Sequence, residues 1–209
     1  MNSSIMKTIR MLARRYPYKH AKRDAFRVLI TTVLSQRTRD ANTNKAAEQL
    51  FSMYQTPKQL SEAPLKRIEK LIRPSGFYRQ KAKRIKKISK IICEKYNGRV
   101  PNDIEELVRL PGVGRKTAGC VVVFAFDKPA IPVDTHVHRI SNRLGIVKTK
   151  TAGHTEQELM RLVPKRYWKS INTALVRHGQ QVCKPRSPLC ATCLLKKICS
   201  YASRQFRHR

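Results

Sequence analysis

Residues 110–136 read LPGVGRKTAGCVVVFAFDKPAIPVDTH, and the reading of this stretch decides the fold. Leu110-Pro111-Gly112-Val113-Gly114 is a tight turn of the order hydrophobic-Pro-Gly-hydrophobic-Gly. Upstream, Asn102-x-x-Glu105 before an apolar run has the form of a capping box and predicts a helix over 103–109. Downstream, GCVVVFAF is short and β-branched and would suit a strand. It follows a glycine turn among helical neighbours, so we read it as part of a buried helix that begins near Arg115. Two helices joined by such a turn make a helix–hairpin–helix, over about 103–126. The glycines allow backbone conformations that other residues resist and let the backbone approach a ligand. The first N–H groups of the second helix can then hold a phosphate. Gly112, Val113, Gly114 and Arg115 are therefore candidate DNA-backbone contacts, and a plain αα corner is the alternative. GVGRKT resembles the end of a P-loop, but Arg115 stands where that motif has Gly, and no suitable strand precedes it.

Outward from the hairpin, the chain keeps a helical pattern. Residues 24–36 open on an acidic cap and continue apolar, 42–54 are amphipathic, and 59–72 form another helix ended by Pro74-Ser75-Gly76. Residues 79–96 carry Ile85, Ile88, Ile91 and Ile92 on one side and a dense basic face on the other. Ile5, Ile9, Leu12 and Tyr16 recur at helical spacing and predict a packed first helix. The same segment lacks acids and is rich in Arg and Lys, which is also how a mitochondrial transit peptide is composed. The expected class is all-α. No internal repeat or low-complexity linker is present, and the basic tail 203–209 is expected to be disordered.

Composition narrows the partner. The 209 residues include 45 Lys+Arg against 13 Asp+Glu, a net charge of +32, while 41% hydrophobic residues suffice for a core. Self-repulsion of that size is unfavourable without a polyanion. Nucleic acid is the first candidate, because each neutralised phosphate releases counterions; an anionic membrane surface is the alternative. No run of 18 apolar residues exists to span a bilayer. Without a secretory apolar core, the six cysteines are expected in a reducing interior, where clustered Cys point to metal before disulfide.

Two constellations carry chemistry. Lys116 follows the turn directly and Asp134 lies eighteen residues further on. One reading makes Lys116 a phosphate contact; the other makes it a nucleophile, since crowding by Arg115 and partial burial disfavour its ammonium form and a neutral amine forms Schiff bases. Asp134 precedes THVHRISNRL as an N-cap. Cys183, Cys190, Cys193 and Cys199 form C-x6-C-x2-C-x5-C, a set for zinc or an iron–sulfur cluster. Cys93 and Cys120 lie far away on apolar helix faces and read as core thiols.

LPGVGRKTA, VDTHV and the cysteine spacing, in this order, resemble endonuclease III, a base-excision DNA glycosylase of the helix–hairpin–helix superfamily. The resemblance runs from about Asp24 to Cys199. It implies two helical domains: a six-helix domain over 19–129, and a cluster domain from 1–18 and 130–209. It further implies a [4Fe-4S] cluster on the four cysteines, Lys116 as the residue that attacks the damaged nucleotide, and Asp134 as the catalytic aspartate. The function implied is a bifunctional glycosylase and AP lyase acting on oxidised pyrimidines in duplex DNA, as a monomer in the cytoplasm of a prokaryote. Mismatch-type glycosylases share hairpin and cluster but typically lack the lysine. A non-catalytic DNA-binding iron–sulfur protein is the other alternative. In the segment Leu34-Ser35-Gln36-Arg37-Thr38-Arg39-Asp40, Arg37 stands where the family has a gap-filling glutamine, and Gln36 is one position earlier. Either is a candidate for entry into the duplex, and Phe77 falls at the family's leucine wedge, where an aromatic can stack between bases.

Overall fold

The computed structural model describes residues 3–19, 21 and 23–207. Among them every regular element is helical: twelve α-helices and two short 3-10 turns, with no strand. The chain divides into two compact units, Ala21–Lys128 and Met1–His20 with Pro129–Arg209.

The first unit is built around α2 (Ala25–Ser35), α3 (Asp40–Phe51) and α6 (Tyr78–Tyr96). Asp24 caps α2, its carboxylate accepting from Arg27 N at 2.7 Å. Phe26, Leu29, Ile30, Val33 and Leu34 make α2 apolar around much of its girth, so it is enclosed by its neighbours. It packs against α3, α6 and α8 (Arg115–Phe124). The apolar stripe of α6 buries Ile85, Ile88 and Ile92 completely, while Ile91 is half-buried. GCVVVFAF is helical through Phe124, contributing buried Val121, Val122 and Val123 to α8, and its last two residues form a turn.

Two local expectations need correction. The single helix expected over 59–72 is divided into α4 (Pro57–Glu62) and α5 (Leu65–Leu71). Pro64 disfavours helical backbone at Ala63, which is extended at ψ 140°. Pro57 occupies the first turn of α4, behind a Thr56–Gln59 capping box and after the break that follows α3. At the hairpin's first helix, α7 (Ile104–Val108), the cap is Asp103, which accepts from Glu105 N and Glu106 N at 2.8 and 3.3 Å. Asn102 is engaged otherwise, its side-chain oxygen accepting from Lys128 Nζ at 2.8 Å.

The second unit joins α1 (Ser3–Arg15) to α9 (Thr135–Leu144), α10 (Ala152–Leu162), α11 (Trp168–Gln181) and α12 (Ser200–Arg207). Ile9, Leu12 and Tyr16 enter its core with Val137, Ile140 and Leu175, as a packed first helix requires. Gly145, at φ 76°, closes α9. The expected disorder of 203–209 fails over residues 203–207, which lie in α12. Buried Ala202 roots that helix in the core, and Ser203 N bonds back to Cys199 O at 3.0 Å. Residues 208 and 209 fall outside the described residues.

The cap assignment is testable. Asp103→Ala is expected to lower the unfolding free energy by about 1 kcal/mol. Asn102→Ala removes only an exposed contact to Lys128 and is expected to cost roughly half that or less. Urea unfolding of both variants measures the difference.

Candidate nucleic-acid interface and thiolate site

The hairpin has an apolar inside and a bare backbone outside. Val113 N bonds to Leu110 O at 3.1 Å to close the turn. Leu110 and Val113 are buried, whereas Gly112 and Gly114 are exposed. Gly112 has φ 72°, a left-handed backbone that favours glycine, and a Cβ there would displace the Arg84 side chain. Gly114 is the N-cap of α8 and offers no side-chain cap, which leaves the first-turn N–H groups without the usual capping oxygen. Arg115 is exposed and pairs with Glu105 at 3.4 Å. Lys116 is half-buried on the first turn of α8.

The end of α2 meets this hairpin through Gln36. Its Nε2 donates to Gly112 O at 3.0 Å and Thr117 Oγ1 at 3.4 Å, and its Oε1 accepts from Arg84 Nη1 at 3.0 Å. Gln36 is thus a strut, with both ends of its amide engaged. Arg37 is exposed and left-handed at φ 51°. Its guanidinium lies over the ring of Phe77, 5.9 Å from the centroid, within cation–π range. Phe77 is also left-handed, at φ 57°, and is 57% exposed.

Gln36, Arg37, Phe77, Gln80, Lys81 and Arg84 line one cleft. At its base Lys81 is only 3% exposed. Its Nζ donates to Leu34 O at 2.7 Å, Gln36 O at 2.6 Å, Thr38 Oγ1 at 2.9 Å and Ser75 Oγ at 2.9 Å. Burial, and then the neighbouring Arg84 charge, lower its pKa to about 8. Sequence reasoning missed Lys81, although a signal existed. It stands in register with Ile85, Ile88 and Ile92, on the buried stripe of α6 instead of its basic face.

In the second unit, Asp134 is half-buried and caps α9, its Oδ1 accepting from Val137 N at 2.8 Å. His136 Nδ1 lies 3.1 Å from Arg139 Nη2, which also donates to Cys183 O at 3.0 Å. His138 Nδ1 is 2.7 Å from Thr155 Oγ1. Both histidines are thereby held by neighbouring side chains.

Cys183, Cys190, Cys193 and Cys199 line one pocket together with His178 and Tyr201. Donors approach the sulfurs: Arg143 Nη1 lies 3.5 Å from Cys183 Sγ, Leu195 N 3.4 Å from Cys193 Sγ, and Ala202 N 3.5 Å from Cys199 Sγ. His178 Nε2 is 3.7 Å from Cys193 Sγ, and its Nδ1 is 3.3 Å from Tyr16 Oη. Arg143 fixes the loop further by donating to Lys184 O and Pro185 O at 2.7 and 2.9 Å. Burial, and then the other cysteines, push the Cys190 thiol up. Burial is also the largest cause for Cys193, where the Leu195 N–H partly offsets it. A bound metal inverts that balance, because coordination deprotonates thiols outright. Among the described residues no three His, Cys, Asp or Glu side chains converge on the position of a single ion. Four thiols at one pocket have the donor chemistry of a zinc or an iron–sulfur site. Cys120 is buried and Cys93 half-buried in the other unit.

The structure therefore gathers the hairpin, Gln36, Arg37 and Phe77 in one unit and the four cysteines in the other; Lys116 belongs to the first and Asp134 to the second. Residues 30–165 match the HhH-GPD superfamily of base excision DNA repair proteins. Endonuclease III of Thermotoga maritima is 54% identical over 94% of this chain and 92% of its own length. Endonuclease III of Bacillus subtilis is 46% identical over 83% and 80%. Among solved structures, a trapped endonuclease III–DNA covalent intermediate in an estranged-adenine complex has a TM-score of 0.91 and 39% identity, over 99% of this chain and 100% of that one. A thermostable thymine-DNA glycosylase has a TM-score of 0.86 and 27% identity, over 97% and 98%. The chain belongs to the endonuclease III family of the HhH-GPD superfamily, the DNA glycosylase/AP lyases of base excision repair.

Proposed function

We propose that the protein removes oxidised pyrimidines from duplex DNA and cuts the strand 3′ to the abasic site by β-elimination, with Lys116 as nucleophile and Asp134 as catalytic carboxylate. The observation that carries this reading is a lysine on the first turn behind the hairpin, in a chain 39% identical to an endonuclease III trapped covalently on DNA. The thymine-DNA glycosylase likeness supports the fold equally, but a lysine at position 116 favours a lyase over a purely hydrolytic relative.

The exposed backbone of Gly112 and Gly114 and the start of α8 receive a phosphate. Phe77 enters the stack with Arg37, since Gln36 is already engaged as a strut. Extrusion of the damaged nucleotide costs a few kcal/mol, least for a base already poorly stacked. Lys116 Nζ, as the free amine, attacks C1′. The glycosidic bond breaks, and its electron pair leaves with the base, which takes up a proton. Opening of the sugar ring gives a protonated imine, which acidifies the C2′ hydrogen. Loss of that proton breaks the C3′–O bond and expels the 3′ phosphate. Water then hydrolyses the imine and frees the lysine. Asp134, kept in place by its bond to Val137 N, stabilises the positive charge that develops on the sugar and assists proton transfer with Lys116.

Cys183, Cys190, Cys193 and Cys199 are assigned a [4Fe-4S] cluster, which when bound cross-links the loop that carries exposed Lys184, Arg186, Lys196 and Lys197. The protein acts as a monomer in the cytoplasm of a prokaryote; no described helix is long and apolar enough to cross a membrane.

Three outcomes test this. Borohydride is expected to trap the wild type on an abasic duplex and to trap Lys116→Gln not at all; undiminished trapping in the variant moves the nucleophile elsewhere. Asp134→Asn retains a capping oxygen but loses the charge, so base release is expected to slow by about a hundredfold or more while duplex affinity holds. Wild-type base release in this variant would leave Asp134 a cap only. Iron and sulfide analysis of purified protein is expected to give four of each per chain, with the visible absorbance lost in Cys193→Ser; one zinc per chain would refute the cluster.

A further inference from the structure

We infer that Lys81 is a positioning residue whose ammonium joins the end of α2 to the loop before α6, and so holds Arg37 and Phe77 as a single wedge for entering a base stack. This rests on the reading that Arg37 and Phe77 enter the duplex.

The two wedge residues come from segments forty residues apart. Neither segment is a regular element: one follows α2 and the other connects α5 to α6. The donor common to both is Lys81, which reaches Leu34 O, Gln36 O and Thr38 Oγ1 on one side and Ser75 Oγ on the other. An ammonium has three N–H groups, so four acceptors saturate it. The hydroxyls close the remainder: Ser75 Oγ also donates to Leu34 O at 2.9 Å, and Thr38 Oγ1 accepts from Gly76 N at 3.1 Å. Gly76 lets the segments meet, because a Cβ there would lie 3.1 Å from Arg37 O. The acceptors flank Arg37 and Phe77 within one to three residues, so their anchoring sets where both left-handed residues point.

Lys81 is buried beneath the cleft and has no free N–H to offer DNA. Its effect must pass through the wedge, and this separates it from the exposed lysines of α6, whose loss would weaken every duplex alike. A group misplaced by about 1 Å in such a site costs roughly a hundredfold.

The test uses the full-length, cluster-loaded protein and a duplex with 2-aminopurine beside a tetrahydrofuran abasic analogue. Fluorescence is read at saturating protein, well below each variant's melting temperature, so that lower stability alone does not move it. Wild type is expected to raise the fluorescence as the stack opens. Lys81→Met is expected to lose most of that rise and to increase KM for an abasic duplex about tenfold, more than it lowers kcat, while affinity for undamaged duplex stays within about twofold. Lys81→Arg, which keeps the charge, is expected to recover part of the signal. If Lys81→Met does not fold, Gly76→Ala keeps the lysine yet presses on Arg37 O, and a reduced signal is expected there too. Wild-type fluorescence in whichever of these folds overturns the role of Lys81, provided that Arg37→Ala and Phe77→Ala lose the signal. Wild-type fluorescence in those two variants overturns the wedge reading beneath it.

Discussion

Helix α2 is enclosed by α3, α6 and α8; at its C-terminus Val33 O and Ser35 O accept from Gln36 N and Thr38 N, whereas Leu34 O and Gln36 O lie where side chains must meet them. Left unpaired in a buried place, such groups cost about 1–3 kcal/mol each. The chain supplies their donor from the side, through Lys81 of α6. A serine or amide could satisfy one carbonyl; an ammonium satisfies several at once and with charge-assisted bonds. Gln36 then continues from the same point into the hairpin, so that the exposed turn, the tip of the α2 loop and the start of α6 form one hydrogen-bonded body. The satisfaction of that helix end thereby ties together the segments that carry Gln36, Arg37 and Phe77.

The surplus of cations fits this arrangement. A charge of +32 weakens a compact state through self-repulsion, and 13 acids are too few to pair 45 cations. The pairs among the described residues are exposed and mostly local, such as Lys90–Glu94 and Arg161–Glu158, and pairs of that kind contribute little stability. Stability comes from two apolar cores and the charge is left for a polyanion. Long-range attraction of this sort finds any duplex and carries no preference for a particular nucleotide.

Much of this was legible in the sequence because the signals are local. The PGVG turn, the Asp24 and Asp134 caps, the isoleucine stripe and the cysteine spacing each declare themselves within about one or two helical turns. What escaped depends on partners distant in the chain. Asn102 and Asp103 both suit a cap, and the choice fell to Lys128, which engages Asn102 from 26 residues away. Gln36 and Arg37 are equivalent as letters, and only the bonds to Gly112, Thr117 and Arg84 tell strut from tip. The tail looked too basic to order, but Ala202 and Cys199 are held by the core of a helix assembly that begins near residue 3. Lys81 was lost among 45 cations, since composition counts charges without saying which one is buried.

Arg37 and Phe77 sharpen the case for an imposed tip. Both adopt left-handed backbone, where a non-glycine residue costs on the order of 1–3 kcal/mol. Glycine at either site would remove that cost, and this chain does place glycine where left-handed backbone is all that is asked, as at Gly98, where a Cβ would meet nothing. Keeping an arginine and a phenylalanine instead makes sense only if their side chains are worth more than the strain. Neither contributes to the core: Phe77 is 57% exposed and Arg37 projects beside it. Two strained, exposed side chains stacked on one another, above a lysine that fixes the segments bearing both, have little to stabilise in the free protein. They are arranged for something that arrives from outside, and a planar cation against an aromatic ring presents the flat faces that a base stack accepts.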